Sequence, residues 1–116
     1  MVTPGSLSEK VAIKEVAEMT VKCLKENIPS DLPGVTFLSG GQTELEATAH
    51  LNEMNKIGEI PWKLSFSYGR ALQQSALKAW SAKSENLFIA QDELSHRAEM
   101  NKLAALGQWD IKLEDR

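Results

Sequence analysis

Val35-Thr36-Phe37-Leu38-Ser39-Gly40-Gly41 and Trp62-Lys63-Leu64-Ser65-Phe66-Ser67-Tyr68-Gly69-Arg70 are two versions of one pattern. In each, a short apolar run enters a Ser/Gly turn that opens directly into a helical segment. The brevity of the first run and the β-branched Val35 and Thr36 favour a buried strand over a surface helix. A turn of this kind aims backbone N–H groups outward from a helix start, and glycine lets a bulky anion approach the main chain. Two such turns in series predict a single phosphate site. The plainer use of the same glycines is to permit tight strand-to-helix connections.

The flanking segments read as helices. Ser6 and Glu9 have the spacing of a capping box, and the helix expected after them carries Ile13, Val16, Ala17, Thr20, Cys23 and Leu24 on one apolar face. It must stop before Pro29, because the residue ahead of a proline is pushed out of the helical region. Between the two strands, Thr43 and Glu46 repeat the capping-box spacing, and Ala47, Leu51 and Met54 share a face up to Gly58. Beyond Arg70, a third helix is marked by Leu72, Ala76, Ala79 and Trp80, and a long fourth by Leu87, Ala90, Leu94, Ala98 and Ala105 as far as Gly107. Gln108 to Arg116 reads as a polar, frayed tail. Strands separated by whole helices pair in parallel through crossovers, which makes the class α/β. Two parallel strands alone leave both sheet edges unpaired, so stability in isolation is expected to be marginal.

Composition narrows the function classes. The 116 residues suffice for one domain, 42% of them are hydrophobic, and the formal charge is -3. No basic run concentrates positive charge for nucleic acid, no stretch is long enough for a membrane span, and the reading is cytoplasmic. The lone Cys23 rules out an internal disulfide and reads as core filler. His50 and His96 lack a metal-ligand spacing and read as surface residues, so no metal or cofactor is expected. Trp62, Trp80 and Phe88 are expected to pack against a barrel of strands or its helix layer. Lys10, Lys14, Lys22 and Lys25 read as solvated helix-face charges rather than reactive amines. Lys63 stands on the second strand with no indication of which way it points. Glu44 and Glu46 count against the first turn, since carboxylates in the opening turn of a helix repel an anion there.

VTFLSGGQTELEA (35–47) and WKLSFSYGRALQQSALKAW (62–80), together with MVTPG (1–5), resemble the C-terminal portion of class I fructose-1,6-bisphosphate aldolases. The likeness runs from Met1 to about Leu106. It implies an incomplete (β/α)8 TIM barrel: the helix after strand six, then strands seven and eight with their helices, giving two parallel strands and four helices. Residues 1–107 would be a partial barrel domain and 108–116 a C-terminal tail. The family is tetrameric in many members and cleaves fructose 1,6-bisphosphate through a lysine Schiff base without a metal. Carried over by position, Ser39, Gly40 and Gly41 would contact a sugar phosphate, and Ser67, Gly69 and Arg70 would hold the same group from the second turn. A planar guanidinium suits that task because it forms two charge-assisted hydrogen bonds to phosphate.

Two departures qualify the resemblance. The family's Schiff-base lysine stands in a Lys-Pro-Asn triplet directly before the Met-Val-Thr-Pro-Gly found here as residues 1–5. The expectation is that Met1 is an internal methionine of a longer protein, and that these residues include no catalytic group and are inactive alone. The tail also lacks the terminal tyrosine of many members. The implied ligand is fructose 1,6-bisphosphate or dihydroxyacetone phosphate, with a homo-oligomer or a complementary aldolase fragment as protein partner. The rival is a non-catalytic module whose open strand edges pair with a second polypeptide.

Overall fold

A computed structural model describes residues 1–116. In chain order it contains α1 (Ile13–Asn27), β1 (Gly34–Phe37), α2 (Glu44–Lys56), β2 (Lys63–Phe66), α3 (Arg70–Trp80) and α4 (Leu87–Ala105). Short 3-10 turns at Ser84–Asn86 and Ile111–Glu114 precede and follow α4. The two strands pair in parallel, Gly34 opposite Lys63 and Phe37 opposite Phe66, with α2 as the crossover. Beyond the ladder, Lys63 N donates to Pro33 O (3.3 Å) and Ser67 N to Phe37 O (2.8 Å).

Helix α2 lies at the centre. Its start is the predicted capping box in both directions: Thr43 Oγ1 accepts from Glu46 N at 3.1 Å, and Glu46 Oε2 accepts from Thr43 N at 3.0 Å. Ala47, Leu51 and Met54 are fully buried against Phe37, Leu64, Tyr68, Ala17, Val21 and Ala104. On the same helix Asn55 spends its amide on Leu51, Leu64 and Ala104 carbonyls, tying α2 to β2 and to the end of α4. Trp62 is buried as expected, its indole donating to Pro29 O at 2.7 Å. The chain leaves α4 through Gly107 at φ 69°, where a β-carbon would stand a tight 3.2 Å from Asn55 O, so both backbone and space favour glycine.

Several expectations fail for identifiable reasons. Ser6 and Glu9 do not cap a helix: Gly5–Ser8 closes a turn, and α1 starts at Ile13 with no side-chain cap. Cys23 is exposed, lying on the edge of the α1 face that buries Val16, Ala17, Thr20 and Val21. Strand β1 is not a buried strand. Of its residues only Phe37 is buried, and Leu38, just past its end, is 72% exposed because nothing covers that side of the sheet. Trp80 is 43% and Phe88 80% exposed, so neither packs into the helix layer. The face of α4 is also misjudged. Leu87 and Leu94 point outward, while the side turned inward carries Arg97, Met100, Asn101 and Ala104.

The outcome is an open structure. A compact chain of this mass exposes about 6,300 Å² and has a radius of gyration of about 13 Å. This one exposes 7536 Å² and has a radius of gyration of 15.2 Å. Large apolar side chains left exposed include Leu38 just past β1, Leu77 and Trp80 on α3, and Leu87, Phe88 and Ile89 on α4.

Truncating the central helix tests this packing. Leu51→Ala should cost about 2–5 kcal/mol, whereas Cys23→Ser should stay within about 0.5 kcal/mol, both read from urea denaturation. Equal effects would mean that α2 is not the core.

Candidate functional site

The two Ser/Gly turns leave the carboxyl ends of two paired, in-register strands, so they emerge side by side at one end of the sheet. The first is closed by Gln42 N donating to Ser39 O at 2.8 Å, with Gly41 at φ 75°, a left-handed conformation that favours glycine. Ser39 is buried and Gly40 and Gly41 are exposed. The second turn is anchored through Tyr68, which is buried and donates its hydroxyl to Ala47 O at 2.8 Å, in the first turn of α2. Burial pushes the Tyr68 hydroxyl pKa well up, so it remains a neutral donor. Gly69 caps α3, its carbonyl accepting from Leu72 N and Gln73 N. Arg70 follows as the first residue of α3, exposed and engaged in none of the chain's ion pairs. A β-carbon at Gly40, Gly41 or Gly69 would meet nothing within 4 Å, so the space over both turns is open.

A cavity of about 550 Å³ lies over the first turn. Its lining includes Gly40, Gly41 and Gln42, the Thr3–Ser6 segment, Lys10 and His50. Ser67, Gly69 and Arg70 are not among its lining residues, so this hollow belongs to the first turn alone.

His50 is buried rather than on the surface as expected, and its Nδ1 lies 2.6 Å from Gln42 Oε1. The carbonyl oxygen accepts, which makes Nδ1 the protonated nitrogen of the neutral ring. Burial lowers the His50 pKa, opposed by the nearby Glu46 carboxylate. Helical spacing carries a signal for this placement, because His50 follows Ala47 by three residues and precedes Met54 by four.

The objection raised by Glu44 and Glu46 finds an answer in their partners. Glu46 is spent on the capping box and on Lys10, whose Nζ lies 2.5 Å away; that contact leads the causes holding its carboxyl below the usual range. Glu44 accepts from Ser75 Oγ of α3, and its other oxygen faces Arg97 Nε at 3.7 Å, an ion pair without a hydrogen bond. Neither carboxylate is a free negative charge at the turn.

Arg97 belongs to a buried polar cluster without warning in the local sequence. It forks onto Glu114 at 2.9 and 2.8 Å and also donates to Thr48 Oγ1. Glu114 further accepts from the Trp109 indole at 2.9 Å and lies 3.1 Å from His96 Nε2. The tail is therefore docked, not frayed, and His96 is half-buried beneath it. Among the lysines, Lys10, Lys14, Lys22, Lys25 and Lys63 are all exposed. No helix is long and apolar enough to cross a membrane.

Comparison with known proteins gives one consistent result. A family model described as glycolytic fructose-bisphosphate aldolase class-I matches residues 1–116. A probable fructose-bisphosphate aldolase class 1 from Xanthomonas axonopodis pv. citri is 56% identical over 111 residues, covering 94% of this chain and 33% of that protein. A cytoplasmic isozyme of fructose-bisphosphate aldolase from Cicer arietinum is 58% identical over 110 residues, covering 94% and 31%. A solved fructose-bisphosphate aldolase from Plasmodium falciparum, in complex with TRAP and a small-molecule inhibitor, superposes with a TM-score of 0.85 at 48% identity, covering 89% of this chain and 30% of that one. The chain spans about a third of the length of the curated relatives it matches. Its two strands and four helices are a partial, unclosed piece of that barrel fold.

The docked tail makes a pH prediction. Burial pushes the Glu114 carboxyl up, but hydrogen bonds from Arg97 and His96 outweigh it and hold the pKa below the ordinary 4.5. A depressed carboxyl stabilises the folded state fully above 4.5 and loses that contribution as pH falls below it. Trp109 fluorescence should stay constant from neutral pH to about 4.5, then shift as Glu114 protonates. The transition should be absent in Glu114→Gln; its persistence there would show that another group holds the tail.

Proposed function

The chain belongs to the class I fructose-bisphosphate aldolase family, and from that premise we propose that it carries the sugar-phosphate-binding corner of such an enzyme. In this reading Ser39, Gly40 and Gly41 contact the phosphate from the first turn, and Ser67, Gly69 and Arg70 from the second. The single observation that carries this reading is the strand pairing. Because Phe37 and Phe66 are opposite partners, the residues that follow them start from adjacent points at one end of the sheet. That is the end of a parallel sheet where ligands collect in barrels and open α/β folds.

The chemistry each residue offers is distinct. Gly40 and Gly41 present N–H groups without a side chain to obstruct a phosphate oxygen. Arg70, exposed and uncommitted, supplies the compensating charge as a bidentate donor at the start of α3, whose dipole favours the same anion. The ligand is a phosphorylated ketose or triose, fructose 1,6-bisphosphate or dihydroxyacetone phosphate. In the whole protein this corner would orient the substrate toward the family's Schiff-base lysine for aldol cleavage. No Lys-Pro-Asn triplet occurs in these 116 residues, and the proposed role of the chain alone is binding without cleavage. A cytoplasmic location follows the named isozymes of Cicer arietinum and Pisum sativum.

A second reading concerns partners. Both outer edges of the two-stranded sheet are unpaired, and an unpaired parallel edge is a template for further strands. The complementary part of an aldolase barrel is the partner proposed for those edges, with a homo-oligomer as the alternative.

Titration calorimetry with dihydroxyacetone phosphate tests the first reading. The chain should bind it, and Arg70→Ala should weaken binding by about 10-fold or more, the loss of a charge-assisted pair. Borohydride treatment with the same ligand should trap no adduct on any lysine. Unchanged affinity in Arg70→Ala contradicts the site, and a labelled lysine contradicts the assignment of catalysis elsewhere.

A further inference from the structure

Glu44 sits in the opening turn of α2, where a bare carboxylate would disfavour an anion on the preceding turn. Its neighbours give it a different task. One carboxylate oxygen accepts from Ser75 Oγ, a residue of α3, the helix that begins at Arg70. The other faces Arg97 Nε across 3.7 Å, and that guanidinium is in turn forked onto Glu114 of the tail. The start of α2, the helix that follows the first turn, is thus joined by one side chain to the middle of α3, the helix that follows the second, and that side chain is backed by a buried cation clamped from the C-terminus.

We propose that the Ser75–Glu44–Arg97–Glu114 chain is a tie that sets the spacing of the two turns, with Glu114 as its releasable end. The inference rests on the reading of the two turns as one phosphate site. Glu44, Ser75 and Arg97 are positioning residues, acting on the ligand only through the turns they hold. The two oxygens of Glu114 already accept from Arg97 and Trp109, with His96 alongside, so one carboxylate keeps the tail and the guanidinium in place. With the tail detached, Arg97 loses its forked partner. Its charge then turns wholly on Glu44, the only other carboxylate it pairs with, and draws that side chain away from Ser75.

Linkage makes the idea testable. If docking of the tail tightens anion binding, anion binding must tighten docking of the tail by the same factor. In the 116-residue chain, inorganic phosphate affinity is measured by calorimetry, and tail docking by solvent exchange of the Trp109 indole N–H. Glu114→Gln should weaken phosphate binding about fivefold or more, the low end of ordinary coupling between sites. Saturating phosphate should slow Trp109 indole exchange in the wild type by a matching factor. Ser75→Ala, at a half-buried position, should weaken phosphate similarly while leaving the Trp109 indole protected. Arg70→Ala serves as the control on the underlying site. If phosphate fails to bind the wild type, or ignores Arg70→Ala, the reading of the turns falls and the tie falls with it. If Arg70 matters but Glu114→Gln and Ser75→Ala bind as wild type, the tie alone is overturned, even where both variants lose thermal stability.

Discussion

Parallel, in-register pairing of Gly34–Phe37 with Lys63–Phe66 brings residues some thirty positions apart in sequence to one end of one sheet. The crossover between them is short enough for α2 to lie directly against the strands it connects. Its buried face, Ala47, Leu51 and Met54, is apolar, while Asn55 satisfies carbonyls on α2, β2 and α4 together. The Tyr68 hydroxyl adds a fixed link from the second turn to the first turn of α2. Neither turn is an independent loop. The second is braced by the helix that follows the first, and the two helices are themselves linked by Glu44 and Ser75.

The same scaffold solves an electrostatic difficulty. A chain of net charge -3 with two carboxylates at the start of α2 is poorly disposed to an anion unless those charges are already engaged. Lys10 and the capping box take up Glu46, and Ser75 and Arg97 take up Glu44. Arg70 is left uncommitted at the start of α3. This division between engaged acids and a free base suits the phosphate site proposed for the two turns.

Much of this was legible in sequence where the signal is local. The Thr43/Glu46 capping box, the stop before Pro29, Gly107 after α4 and the β-branched strand each follow from a few neighbouring residues, and each is found. Ser6 and Glu9 have the same spacing as Thr43 and Glu46 yet cap nothing, because no apolar helical face begins beside them; α1 waits until Ile13. The long-range features were hidden. Nothing near Arg97 or Asn101 predicts that they, rather than Leu87 and Leu94, face inward, since their partners Glu114 and Thr48 lie 17 and 53 residues away. The docking of the tail was unreadable for the same reason. Trp80 and Phe88 carried the opposite error: they are apolar in composition, but nothing within the 116 residues covers them. The candidate site was read from its turns, whereas His50 and Gln42, which line the cavity above the first turn, needed the fold to be placed there.

The central claim is that two turns act as one anion site. The most direct measurement is a heteronuclear NMR titration of the isotopically labelled chain with inorganic phosphate, following the amides of Gly40, Gly41 and Gly69 and the Arg70 side chain. The account predicts that all four respond along a single saturation curve. Movement confined to one turn, or two curves with separate midpoints, would contradict it.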